Sequence, residues 1–133
     1  REPLYDGIRE TLQALKDAGW DMAVATGKSD RGLISTIAAN GLEGLFSSLQ
    51  TADRHPSKPH PAMLEQALVD CGAAPADAVM IGDTSFDMEM AKAAGVRPIG
   101  VAWGYHEPDE LLRMGAQIVA ETTDHLTEIL LGQ

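Results

Sequence analysis

Apolar residues along this chain alternate between two periods. Ile8, Leu12 and Leu15 fall at helical spacing within residues 7–18, and Gly19 stands where such a helix would end. Residues 21–25 form a short, mostly apolar run stopped by Thr26-Gly27, which predicts a strand. Ser29 or Asp30 can cap a second helix whose apolar face holds Leu33, Ile34 and Ile37, closed by Asn40-Gly41. A weaker strand signal at residues 46–49 leads into a loop over residues 52–61, where Pro56, Pro59 and Pro61 forbid regular pairing. Pro61 suits the first turn of a third helix that ends near Gly72. Residues 78–81 read as a buried strand stopping at Gly82-Asp83, with a helix behind it to Gly95. A strand at 98–101, a helix at 108–114, a strand at 117–119 and a helix at 123–131 complete the series.

Alternation with short connections predicts an α/β fold: a Rossmann-like doubly wound parallel sheet with helices on both faces. Residues 1–133 are expected to form one domain, since no linker or internal repeat divides them. A chain of this length can bury roughly two thirds of its unfolded surface.

Composition changes this picture little; charge narrows it. Twenty acidic against ten basic side chains give a net charge of −10, which would repel a phosphate backbone, so nucleic acid is not an expected partner. An anionic small substrate stays compatible, because a divalent cation and one lysine can reverse the field inside a cleft. Cys71 is the only cysteine, which rules out an intramolecular disulfide, and its spacing from Leu64, Ala67 and Leu68 points to core packing. A cytoplasmic location is expected. No apolar run approaches the ~20 residues needed to cross a bilayer, so no membrane partner is expected either.

In open parallel sheets ligands bind beyond the carboxyl ends of the strands. Three segments satisfy that condition: Thr26-Gly27-Lys28, Lys58-Pro59, and Gly82-Asp83 through Asp87. Asp83 and Asp87 stand four apart across a strand-to-helix junction, a spacing that can turn both carboxylates to one side and suits Mg²⁺. Taken singly, each has a plainer use: Asp83 as a helix cap, Asp87 as a solvated first-turn acid, Thr26 as a strand-end hydroxyl, Lys58 as a surface charge. Together, a hydroxyl with adjacent N–H groups, an ammonium and a metal-binding carboxylate are what a transferring phosphoryl group requires.

Val24-Ala25-Thr26-Gly27-Lys28, Ser57-Lys58-Pro59-His60-Pro61 and Val79-Met80-Ile81-Gly82-Asp83-Thr84-Ser85-Phe86-Asp87 resemble the second, third and fourth motifs of the haloacid dehalogenase-like hydrolases. Gly100-Val101-Ala102-Trp103-Gly104-Tyr105, with Glu110-Leu111-Leu112 and Gly115-Ala116, looks like the phosphoglycolate phosphatase branch. The resemblance implies a Mg²⁺-dependent phosphatase acting on a small phosphorylated metabolite. It assigns Thr26 and the N–H of Gly27 to the phosphate, Lys58 to charge neutralisation, Asp83 to the metal, and Asp87 to the metal's water shell or to Lys58. Two positions depart from many relatives, Gly27 where Asn is common and Gln117 where a carboxylate is common.

The family's first motif, an Asp-x-Asp-x-Thr/Val sequence ending a central strand, has no counterpart in these residues. Asp6 lacks a second aspartate two positions on, and residues 1–7 instead resemble the family's re-entry from its cap into its core. The expectation is therefore the C-terminal part of a longer enzyme, with the nucleophile of a phosphoaspartate mechanism upstream and this part alone nearly inactive. A noncatalytic phosphate-binding or scaffold domain, and a dehalogenase or phosphomutase on the same fold, are the competing readings. A nucleotide-binding P-loop is disfavoured because Met22 occupies the place of its first glycine, and a zinc site because His55, His60, His106 and His125 lack paired helical spacing.

Overall fold

The structure, a computed structural model, describes residues 6–104 and 106–132. Most of the re-entry segment at residues 1–7, and Tyr105, lie outside the described residues. The expected alternation is present as α1 (Ile8–Asp17), β1 (Ala23–Thr26), α2 (Asp30–Ala39), β2 (Ser48–Thr51), α3 (Ala62–Cys71), β3 (Val79–Gly82), α4 (Ser85–Ala94), β4 (Arg97–Val101), α5 (Pro108–Arg113), β5 (Ile118–Ala120) and α6 (Thr123–Leu131). A 3₁₀ turn at Pro75–Asp77, which the apolar pattern does not predict, leads into β3. None of these helices is long and apolar enough to cross a membrane.

All strand pairs are parallel. Ala23 of β1 stands opposite Ser48 of β2, and Thr26 opposite Thr51. In the other group β4 lies between β3 and β5, with Gly82 opposite Gly100 and Gly100 opposite Val119. The order is thus β1-β2 and β3-β4-β5, two half-sheets with no ladder between them. Between them runs a cleft of about 650 Å³, faced by Val24 of β1 and Ile81 of β3, with Leu15, Leu68 and Leu126 from the flanking helices.

Helices hold the half-sheets in one frame. On one face α1 and α6 bring Leu15, Leu126 and Leu130 against Ile99 and Val101 of β4. On the other, α3 and α4 bring Met63, Leu64 and Met90 together, and this cluster takes in both Ala25 of β1 and Met80 of β3. Met63 and Met90 are fully buried, so the apolar free energy of that face is shared by both half-sheets.

Strand β2 begins two residues later than its apolar signal. Leu49 and Phe46 pack beside Leu33 and Ile37 of α2, whereas the pairing with β1 runs through Ser48, Gln50 and Thr51, all buried and polar. A hydrophobicity pattern cannot register such a strand, because its burial is made tolerable by hydrogen bonds. The Ser48 hydroxyl donates to Asp70 Oδ2 at 2.8 Å. The Gln50 amide donates to Asp70 Oδ2 and to Ser48 Oγ, both at 2.9 Å, and its oxygen meets His55 Nε2 at 2.7 Å. Cys71, expected in the core, is only half-buried and borders the cleft, and burial pushes its thiol pKa up.

Hydrogen bonds from Ser48 first, then Gln66, hold the Asp70 carboxyl below its ordinary 3.8. A depressed carboxylate contributes stability that is whole above the unfolded value and is lost as pH falls through the folded one. Urea midpoints of the wild type and Asp70→Asn are therefore expected to differ at pH 6, and to converge as the pH is lowered below 3.8.

Candidate active site

Thr26, Lys58 and Asp83 all stand at or beyond the carboxyl ends of their strands. Thr26 closes β1, and its Oγ1 accepts from the N–H of Lys28 at 3.2 Å. That leaves the hydroxyl proton free to be donated outward. Gly27 is exposed, and a Cβ there would meet nothing within 4 Å. The space around it therefore admits an asparagine, and the departure from the family pattern at this position carries no steric requirement.

The loop after β1 and the loop after β2 are tied together. Ala52 N–H donates to Lys28 O at 3.2 Å, Asp53 Oδ2 accepts from Asp30 N at 2.8 Å, and Arg54 pairs with Asp30 at 3.2 Å. Farther along the second loop, Ser57 O accepts from the His60 N–H at 3.1 Å, and His60 Nδ1 accepts from the first N–H of α3, that of Ala62, at 3.1 Å. His60 thus satisfies a donor that the helix leaves unpaired. Lys58, between these anchors, reaches across to Asp87, with Nζ donating to Oδ1 at 2.6 Å.

Asp87 is 3% exposed, and both its oxygens are engaged inside the protein. Oδ2 accepts from Thr84 N at 3.2 Å and from Thr84 Oγ1 at 2.9 Å, while Thr84 Oγ1 also contacts the Asp87 N–H at 3.2 Å. This is a capping box with Thr84 as the N-cap and Asp87 at the third helical position. The plainer reading of Asp83 as the cap of this helix is therefore corrected: Thr84 does that work, and the sequence Thr-x-x-Asp carried the signal. A Cβ on Gly82 would come to 2.5 Å from Asp87 Cγ, so only glycine lets β3 lie this close to the carboxylate.

Asp83 has different surroundings. It is partly buried, and among the described residues its carboxylate has no hydrogen bond or ion pair. An anionic oxygen pair left unsatisfied in a partly buried place suits a hard cation, which takes one or two carboxylates and fills its remaining positions with water and phosphate oxygens. Among the described residues no three His, Cys, Asp or Glu side chains gather as a metal cage. Asp83 is the available donor, and Asp87 is occupied by Lys58 and Thr84.

Residues 2–101 match the family described as haloacid dehalogenase-like hydrolase. The chain belongs to the haloacid dehalogenase-like hydrolase family. It is 40% identical over 121 residues to the "Probable phosphatase IndB" of Dickeya dadantii, covering 90% of this chain and 52% of that protein. It is 36% identical over 104 residues to a phosphoglycolate phosphatase of Haemophilus influenzae, covering 77% and 46%. A hydrolase of this family from Deinococcus radiodurans, solved with bound phosphate and sodium, superposes with a TM-score of 0.88 at 26% identity, over 96% of this chain and 59% of that one. The chain spans about half the length of the curated relatives it matches.

Outside the family motifs, one contact lies at the opposite, amino-terminal edge of the strands and another beside the site. Arg97 Nε donates to Gln117 Oε1 at 2.5 Å, which gives the second departure a structural use between β4 and β5. His106 Nδ1 accepts from the N–H of Ser85, the first residue of α4, at 3.0 Å, and lies 3.4 Å from Glu110. Nothing local in the sequence marks His106 for this, because its partner is 21 residues away.

Thr84→Ala removes the side-chain cap and leaves Asp87 Oδ2 with the backbone N–H of residue 84 alone. It is expected to lower unfolding stability by about 1 kcal/mol, measured by urea denaturation.

Proposed function

We propose that these residues form the phosphate- and metal-holding part of a phosphatase that hydrolyses a small phosphate monoester of the phosphoglycolate type. The observation that carries this reading is the Lys58–Asp87 pair at 2.6 Å, with the carboxylate of Asp83, unpaired among the described residues, on the same strand-to-helix junction. Asp87 fixes the ammonium, and two of the three ammonium protons remain for phosphate oxygens. The Thr26 hydroxyl and the Gly27 N–H donate to the same group. Asp83 would hold Mg²⁺, which when bound neutralises charge developing on the phosphoryl oxygens.

The attacking carboxylate is assigned to a strand outside these 133 residues, seated in the cleft between β1 and β3. The mostly apolar lining of that cleft, with Val24 of β1 and Ile81 of β3 facing it, supports that placement. The carboxylate oxygen would form a bond to phosphorus as the ester oxygen leaves with a proton. Water then cleaves the acyl phosphate to free phosphate and regenerates the carboxylate. Names of relatives as phosphatases favour this reading over a noncatalytic scaffold.

In the full-length protein, hydrolysis of a generic phosphate monoester is expected to require Mg²⁺ and to fall by roughly 10²–10³-fold in Asp83→Asn, the scale for removing one group that stabilises developing charge. Steady-state kinetics across a Mg²⁺ titration measures this. Full activity in that variant removes Asp83 from the mechanism.

A further inference from the structure

The segment after β4 lies against the carboxylate of Asp83. A Cβ built on Gly104 would stand 2.6 Å from Asp83 Cγ and closer still to its Cβ and Oδ2, inside the distance that real Cβ atoms keep. Gly104 is not in the left-handed region, so its backbone would admit an alanine; only the space does not. Glycine is required here because of what it touches.

The segment is held on both sides of that contact. Ala102 N–H donates to Ala120 O of β5 at 2.9 Å, and His106 accepts from Ser85 N–H at 3.0 Å. The Phe86 ring stands edge-on to His106, with centroids 5.9 Å apart and planes at 67°. Gly104 therefore sits between one anchor on the sheet and another on the first turn of α4, two residues past Asp83. Asp87 owes its orientation to Lys58 and Thr84, but Asp83 has no hydrogen bond among the described residues to fix its rotamer. Packing against Gly104 is the remaining restraint.

We propose that Gly104 is a positioning residue: its bare Cα forms a wall that sets the Asp83 carboxylate at the angle needed for a divalent cation. This rests on the reading of Asp83 as the metal ligand. A group that orients a ligand commonly contributes 10–100-fold to metal affinity, so a loss of about that size is expected when the wall is displaced.

The test uses the full-length protein and three variants, Gly104→Ala, Asp83→Gly and the two combined. Mg²⁺ affinity is measured by calorimetry, and the thermal midpoint is measured in chelator. Gly104→Ala is expected to weaken Mg²⁺ by about 10–100-fold and to lower the metal-free midpoint. In the Asp83→Gly background the same substitution is expected to leave metal affinity unchanged and to cost less midpoint, because the clashing Cβ and carboxylate are gone. A purely structural glycine would lower the midpoint equally in both backgrounds, and that result overturns the proposal. Wild-type Mg²⁺ affinity in Gly104→Ala overturns it too, while leaving the proposed function standing. Equal Mg²⁺ affinity in the wild type and Asp83→Gly removes the metal role of Asp83, and the positioning role with it.

Discussion

Lys58 and Asp87 meet at 2.6 Å across the rim between two groups of strands that share no ladder. One arrives on the loop behind β2, the other on the first turn of α4 behind β3. Asp87 is almost wholly buried, and a charge in that position is tolerable only because an ammonium and the Thr84 cap satisfy both oxygens. The pair thus does two jobs with one contact. It joins the half-sheets at their carboxyl ends, and it holds an ammonium where an anion would bind.

Around this pair the acidic residues divide the labour. Asp87 is consumed by the protein itself, as cap partner and counter-ion. Asp83, four residues earlier, is left without a partner among the described residues, and Gly104 limits where it can turn. The difference follows from the helix: its N-cap geometry draws the third helical residue back toward Thr84 but leaves the residue before the cap outside that network. Two glycines, 82 and 104, make room for the two carboxylates, each on a different strand's exit. A chain with net charge −10 can hold a phosphate only where its acids are neutralised in this way or shared with a cation.

The cleft between β1 and β3 belongs to the same design. Apolar helices cover both of its faces, and α3 packs on side chains from both half-sheets, so the frame does not rely on a ladder between them. A parallel strand buried on both faces would meet apolar walls there. Its carboxyl end would emerge beside Thr26 and Asp83, where the chemistry proposed for it belongs.

Much of this was legible in the linear order of residues. Apolar periods of helix and strand, stopped by Gly and Pro, identified the α-helices and the strands other than β2 among the described residues, because burial of one helix face or of a strand imposes a spacing that local reading detects. Thr26, Gly27, Asp83 and Asp87 were legible as candidates because each follows a strand signal or shares its junction, and Lys58 because it stands in the loop behind one. The shift of β2 to Ser48–Thr51 was not legible: its buried side chains are polar, and their partners Asp70 and His55 are brought to them only by folding. The same holds for Gly104 against Asp83 and His106 at the head of α4, contacts separated by about twenty residues. Local composition fixes which elements form and which ends carry reactive groups; it does not encode which side chain is left unsatisfied, since that depends on neighbours that only packing supplies.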